Sequence, residues 1–246
     1  MESKEGFQIV IKACKLSIFN FILFYFGVFM KTKEIILRYS MMMIGVAIMS
    51  LGIALSIKSD LGTTSISSIP YVLSLGIPYL TVGGYTIIFN LLLVVLQFVV
   101  LRKFEIKLFS QMVVCFIFGY FIDFMVWAIN FLSPVSYLAK WIVCLLSCFV
   151  LAFGIIIEIK SDITMLPGDA AISVLSEAIN MEYGKFKPIF DSSLVIIAAL
   201  MSLYFFGYLR GVREGTVAAA ILVGLIMKFY QDSFGYKIDN YLENFN

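Results

Sequence analysis

Asp169, in the run Met165-Leu166-Pro167-Gly168-Asp169, stands where a carboxylate can do chemistry. Proline is favoured in the first turn of a helix, and an acid is favoured near the positive end of the helix dipole. The spacing therefore predicts a short helix over 168–179, beginning at Leu166 or Pro167. Asp169 either caps that helix or, with the exposed amides, lines a polar pocket. An earlier stretch, Thr63-Thr64-Ser65-Ile66-Ser67-Ser68, has no carboxylate but is rich in hydroxyls. These either coordinate a small polar solute or ion, or cap a helix. Asn90 and Asp191 each follow a phenylalanine early in a long apolar run. A carboxylate in such a run usually faces protein or water, although Asp191 is also placed for an i,i+4 ion pair with Lys187 near the membrane surface. Thr63, Thr64, Ser65, Ser67, Asn90, Pro167, Gly168, Asp169 and Asp191 form the candidate substrate-binding set.

Three further polar residues, Gln97, Gln111 and Asp123, lie inside apolar runs and are candidates for a coupling or polar pathway. Asp123 has no cation near it in sequence. Either glutamine can equally bridge two helices by hydrogen bonds. Asp60 and Asp162, beside Lys58 and Lys160, fall at run ends and are expected at the interface. The chain has no histidine, which excludes Ser-His-Asp hydrolysis and histidine metal sites. No nucleophile–base pair, Walker motif or phosphate-binding glycine loop is present. Cys14, Cys115, Cys144 and Cys148 form no CxxC pair and read as small apolar residues in helix packing. The expectation is a non-enzyme without catalytic residues, metal or cofactor. A net charge of +2, with basic residues at helix ends, gives no reason to expect nucleic acid.

The elements that hold these residues are membrane helices. The chain is 61% hydrophobic and 14% charged, with a mean hydropathy of +1.00, well above soluble domains. Six runs approach the roughly 20 residues that cross a bilayer: about 36–57, 84–101, 108–132, 140–158, 188–208 and 216–230. Leu51–Asp60 (LGIALSIKSD) returns as Phe153–Asp162 (FGIIIEIKSD) with six identities. Each copy is followed by a short half-polar stretch that ends in Val-Leu-Ser. With one gap, Phe89-Asn90 then meets Phe190-Asp191; later, Phe118-Gly119 meets Val223-Gly224.

Charge arbitrates whether the short stretches, about 61–76 and 163–179, also span. With three spans per unit and the N-terminus inside, eleven of the fifteen Lys/Arg after residue 30 face the cytoplasm; with four spans the split is eight to seven. Three spans make the second unit upside down relative to the first. The expected fold is all-α membrane, with six transmembrane helices as two inverted-topology three-helix repeats, each with a short re-entrant half-helix. The expected domains are an N-terminal extension (1–30), repeat 1 (31–132), repeat 2 (138–232) and a polar tail (233–246). Residues 1–30 read as a dispensable extension or an interfacial helix.

Asp60-Leu-Gly62-Thr-Thr-Ser-Ile-Ser-Ser-Ile-Pro70-Tyr-Val-Leu-Ser74, then Phe89-Asn90, Leu96-Gln97 and Leu101-Arg102-Lys103, resemble the bacterial YczE/YyaS/YitT family of membrane proteins. So do Pro167-Gly168-Asp169, Gly184-Lys185-Phe186-Lys187, Phe190-Asp191 and Gly211-Val-Arg-Glu214-Gly215-Thr216. The resemblance spans roughly residues 31–230 and implies no substrate. Where members often carry proline after Thr-Ser, this chain has Ile66, and no acid occurs there. The residues are expected to serve a secondary transporter or exporter of a small polar or anionic solute, multi-pass in the plasma or inner membrane. The alternative is a non-transporting accessory that binds or regulates another membrane component. The expected partners are the lipid bilayer and a small polar solute or ion, with an oligomer possible.

Overall fold

The computed structural model describes residues 32–103 and 106–235. The expectations for residues 1–30, Cys14 included, and for nearly all of the tail lie outside the described residues. Those described are helical throughout: α1 (Thr32–Ser59), α2 (Ser65–Gly76), α3 (Val82–Leu101), α4 (Ile106–Ala128), α5 (Tyr137–Ser161), α6 (Pro167–Ala178), α7 (Tyr183–Phe206) and α8 (Glu214–Tyr230), continued by one π-helical turn, Gln231–Gly235.

Among the described residues five helices are long and apolar enough to cross a membrane: α1, α3, α4, α5 and α7. Large apolar side chains such as Leu92, Val99, Phe109, Leu200 and Ile221 point outward from them and from α8. The chain is a helical membrane protein. The sixth expected run is α8, whose 17 residues make about 25 Å of helix, the shortest of the set. The third run was expected to reach 132, but α4 stops at Ala128. The apolar residues beyond it turn toward Ser133-Pro134, and a residue before proline is biased away from the helical region.

Local chemistry explains the boundaries. Thr81 and Ser136 cap α3 and α5 by accepting from the amides of Gly84 and Ala139. Pro167 occupies the first turn of α6 behind Leu166, as the sequence leads one to expect. Asp60 and Asp162, matching residues of the repeated decamer, both adopt left-handed backbone just past α1 and α5.

The packing follows the repeat. α1 and α5 form the central and most extensive contact. Gly45 faces Gly154 and Glu158, whereas Gly52 faces Leu151, so the two helices run antiparallel. A Cβ placed on Gly52 would stand 2.9 Å from Leu151, and one on Gly154 would stand 2.7 Å from Met49. Gly52 aligns with Gly154 and Met49 with Leu151, so each contact is the other with the copies exchanged. The same exchange holds for whole helices. α2 packs on α7 while α6 packs on α3, and α4 packs on α1 while α8 packs on α5. One pairing breaks the rule: α3 and α4 pack along their length, but α7 and α8 barely touch.

Polar side chains tie the ends. At one end Lys140 pairs with Asp60 at 2.6 Å, Arg213 donates to the Asp60 carbonyl at 3.1 Å, and Lys58 donates to Asn130 at 2.6 Å. At the other, Arg38 donates to the Ser161 carbonyl at 3.3 Å.

Candidate functional site

The first turns of α2 and α6 meet. A Cβ on Gly168 would stand 2.8 Å from Cδ1 of Ile66, and Ile66 is the repeat mate of Gly168. A residue touching its own mate lies on the line that relates the copies, so this contact marks the centre of the arrangement. Phe89 and Phe190, also mates, pack on the apolar cluster that includes Ile66.

Around this centre the repeat places polar residues in pairs. Ser56 is the mate of Glu158, Ser67 of Asp169, Thr86 of Lys187 and Asn90 of Asp191. In the first copy all four are neutral and buried. Ser56 donates to the Gly62 carbonyl at 3.0 Å, Thr86 to Val82 at 2.8 Å and Asn90 to Thr86 at 3.0 Å. In the second copy all four are ionisable, and two of them are paired, with Tyr183 joining the pair. Lys187 pairs with Asp169 at 2.6 Å, Tyr183 donates its hydroxyl to the same Asp169 oxygen at 3.1 Å, and the Lys187 ammonium lies 5.9 Å from the Tyr183 ring centre. Glu158 is only 2% exposed and accepts from the Leu166 amide at 3.0 Å. Asp191 stands one turn along α7 from Lys187, and Glu158 holds the amide at the start of α6, so the three carboxyl groups and the one ammonium gather around the starts of α6 and α7.

Several expected roles change. Lys187 pairs with Asp169 on α6, not with Asp191 one turn along its own helix. One carboxylate oxygen of Asp191 is buried without a hydrogen-bond partner among the described residues. Asp123 is not in the centre: it caps the start of α3, accepting from the Thr81 hydroxyl at 2.6 Å and the Gly83 amide at 2.8 Å. Gln97 donates to Gln111 at 3.1 Å and to the Pro167 carbonyl at 3.3 Å. These glutamines bridge α3 and α4 and fix the start of α6. Thr63 is fully buried, its hydroxyl without a partner among the described residues, Ser65 is buried, and Thr64 precedes α2 without making a side-chain cap.

The sequence reading omitted Glu158 and Lys187 from the site, and Tyr183 with them. Glu158 was legible as the one charged replacement inside the repeated decamer, against Ser56. Lys187 was legible as the mate of Thr86.

A model of DUF6198, a family of unknown function, matches residues 36–232. The chain belongs to the DUF6198 family. The match covers all the residues of the charged group and of its neutral counterpart. No curated protein and no solved structure matches this DUF6198 protein. Among its described residues no three His, Cys, Asp or Glu side chains are grouped to hold a metal ion.

Proposed function

We propose that this DUF6198 protein is a secondary transporter or exporter of a small polar solute. In this reading it has six spans as two inverted three-helix repeats in the plasma or inner membrane, with α2 and α6 as re-entrant half-helices from opposite faces. The antiparallel α1–α5 pair and the exchanged packing of α2 on α7 and α6 on α3 support the inverted arrangement. Kinship with the YczE/YyaS/YitT proteins is a further proposal, resting on the motifs quoted above.

The observation that carries the reading is the charged group Glu158–Asp169–Lys187–Asp191. Ionisable side chains within spans are costly, and a solute or ion path is their usual reason. The group sits at the start of a short helix, where inverted-repeat transporters bind their substrates. With Asp169 paired to Lys187, the two remaining carboxyl groups, Glu158 and Asp191, suit a neutral polar or cationic solute, or a coupling proton. The anionic alternative loses support because Glu158 already occupies an amide at the start of α6. The test is uptake of a panel of labelled solutes into proteoliposomes under imposed proton and sodium gradients. Gradient-driven uptake of one solute class should fall at least tenfold in Asp169→Asn. Gradient-independent leakage that the substitution leaves unchanged would remove the reading.

The accessory reading is favoured by one observation, the Ile66 side chain lying directly on Gly168. An apolar plug where the half-helices meet suits a closed, dry core. Capture of a stoichiometric membrane partner, with no flux for any solute, would decide for it.

A further inference from the structure

The two copies carry the same glycines in opposite circumstances. Gly83 on α3 and Gly119 on α4 are in direct backbone contact: a Cβ on Gly119 would stand 2.7 Å from the Gly83 carbonyl oxygen, and a Cβ on Gly83 would stand 2.6 Å from the Asp123 carboxylate. Their mates, Gly184 on α7 and Gly224 on α8, meet nothing within 4 Å among the described residues. The contrast extends along the facing surfaces. Gly83, Thr86, Asn90, Cys115 and Gly119 are buried; Gly184, Ala220 and Gly224 are exposed, and Lys187 and Asp191 are half-buried. At the far end the two copies agree again. Gln97 and Gln111 are buried, and so are their mates Ala198 and Thr216. α7 and α8 are therefore joined through the connection over 207–213, near the buried Ala198 and Thr216, and splayed toward Gly184 and Lys228.

The mouth of each pair carries a matched polar couple. In the closed pair, Asp123 on α4 holds Thr81 and the Gly83 amide. The mates are Lys228 for Asp123 and Glu182 for Thr81, a basic and an acidic residue placed to attract across the open mouth. In the splayed arrangement Glu182 pairs within its own helix start, with Lys185 at 3.1 Å. We infer that α7 and α8 close into the arrangement now held by α3 and α4, Glu182 exchanging Lys185 for Lys228 as Gly184 seats on Gly224, while α3 and α4 open in turn.

A glycine pair is needed only where two helix backbones come together, and both copies keep it. Among the described residues the splayed copy has no contact that calls for glycine at 184 or 224. Closure carries Lys187, Asp169 and Asp191 into surroundings that, in the first copy, hold only neutral groups. It is therefore favoured when a carboxylate of the group loses its charge. The exchange would supply the moving part of the transport reading, on which it rests for its purpose. It is tested without a solute, so a protein that closes but carries nothing would lose that reading alone.

The experiment is distance measurement between spin labels on Met181→Cys and Phe229→Cys at the open mouth, with Leu80→Cys and Phe124→Cys as the counterpart pair, all four exposed and outside the Glu182–Lys185 pair. The native cysteines are replaced, and the full chain is held in lipid nanodiscs. Two distances are expected for each pair. The short 181–229 population should rise in Asp191→Asn as the short 80–124 population falls. Lys228→Glu should abolish the short 181–229 distance, and adding Glu182→Lys should restore it. A single long 181–229 distance in every variant would overturn the inference. So would closure at both ends at once, or a short population indifferent to the sign of residue 228.

Discussion

Asp169 and Lys187 show how far a residue's role depends on the helix opposite. Sequence places Lys187 four residues before Asp191 on one helix face, and that spacing alone argues for their pairing. The start of α6 instead delivers Asp169 to Lys187 across 18 residues of chain, a contact no local spacing encodes. Both side chains are largely covered, so removing one leaves the other charge stranded. Lys187→Met should destabilise by about 3 kcal/mol, the low end for a buried pair. The double variant Asp169→Asn, Lys187→Met should recover most of that loss. Thermal unfolding in detergent across the four-protein cycle measures the coupling. Thr63 is the opposite case, a buried hydroxyl with nothing to lose. Thr63→Val keeps the shape and removes an unpaired buried hydroxyl, so it should not lower the Tm. A loss of uptake with unchanged Tm would then assign the hydroxyl to the solute, whereas a clear fall in Tm would mark a structural partner.

The elements were legible wherever one local signal sets a boundary. Pro167 fixes α6, and the repeated Ile-Lys-Ser-Asp ends α1 and α5 within a residue or two. The sequence overran α4 because Phe131 and Leu132 continue the apolar run after the backbone has turned. Hydropathy records solubility in lipid, not the path of the chain. Pairing of elements was less legible. That α2 and α6 meet follows from half-helices entering a symmetric bundle, but that each rests on the other copy's second span does not. The glycines separate the close pairings from the loose one. Gly83→Ala forces a methyl into the Gly119 carbonyl and the Asp123 carboxylate, so it should cost about 1–3 kcal/mol. Its mate variant, Gly184→Ala, meets open space and should leave the Tm unchanged or slightly raised, since alanine is the better helix former. Equal effects of the two substitutions would mean that α7 and α8 are as tightly closed as α3 and α4.

At the scale of the molecule, charge and packing bear on the same question by independent routes. The eleven-to-four split of lysine and arginine concerns which side of the membrane each turn faces and uses no contact. The antiparallel α1–α5 pair concerns direction and uses no charge. In the proposed arrangement, with an odd number of spans per copy, both would hold, because the second decamer then runs opposite to the first. The turn after α3 and the turn after α7 are repeat mates, at Lys103 and Tyr208, both exposed. In a six-span inverted protein they lie on opposite sides of the bilayer, Lys103 with the cytoplasm and Tyr208 outside. Single cysteines at these positions, in a background without native cysteines, should label accordingly with a membrane-impermeant maleimide. Intact cells should label Tyr208→Cys, and Lys103→Cys should label only after the membrane is opened. Labelling of both from outside would require α2 or α6 to cross fully, which would remove the half-helices and with them the reason for a charged group at the start of α6.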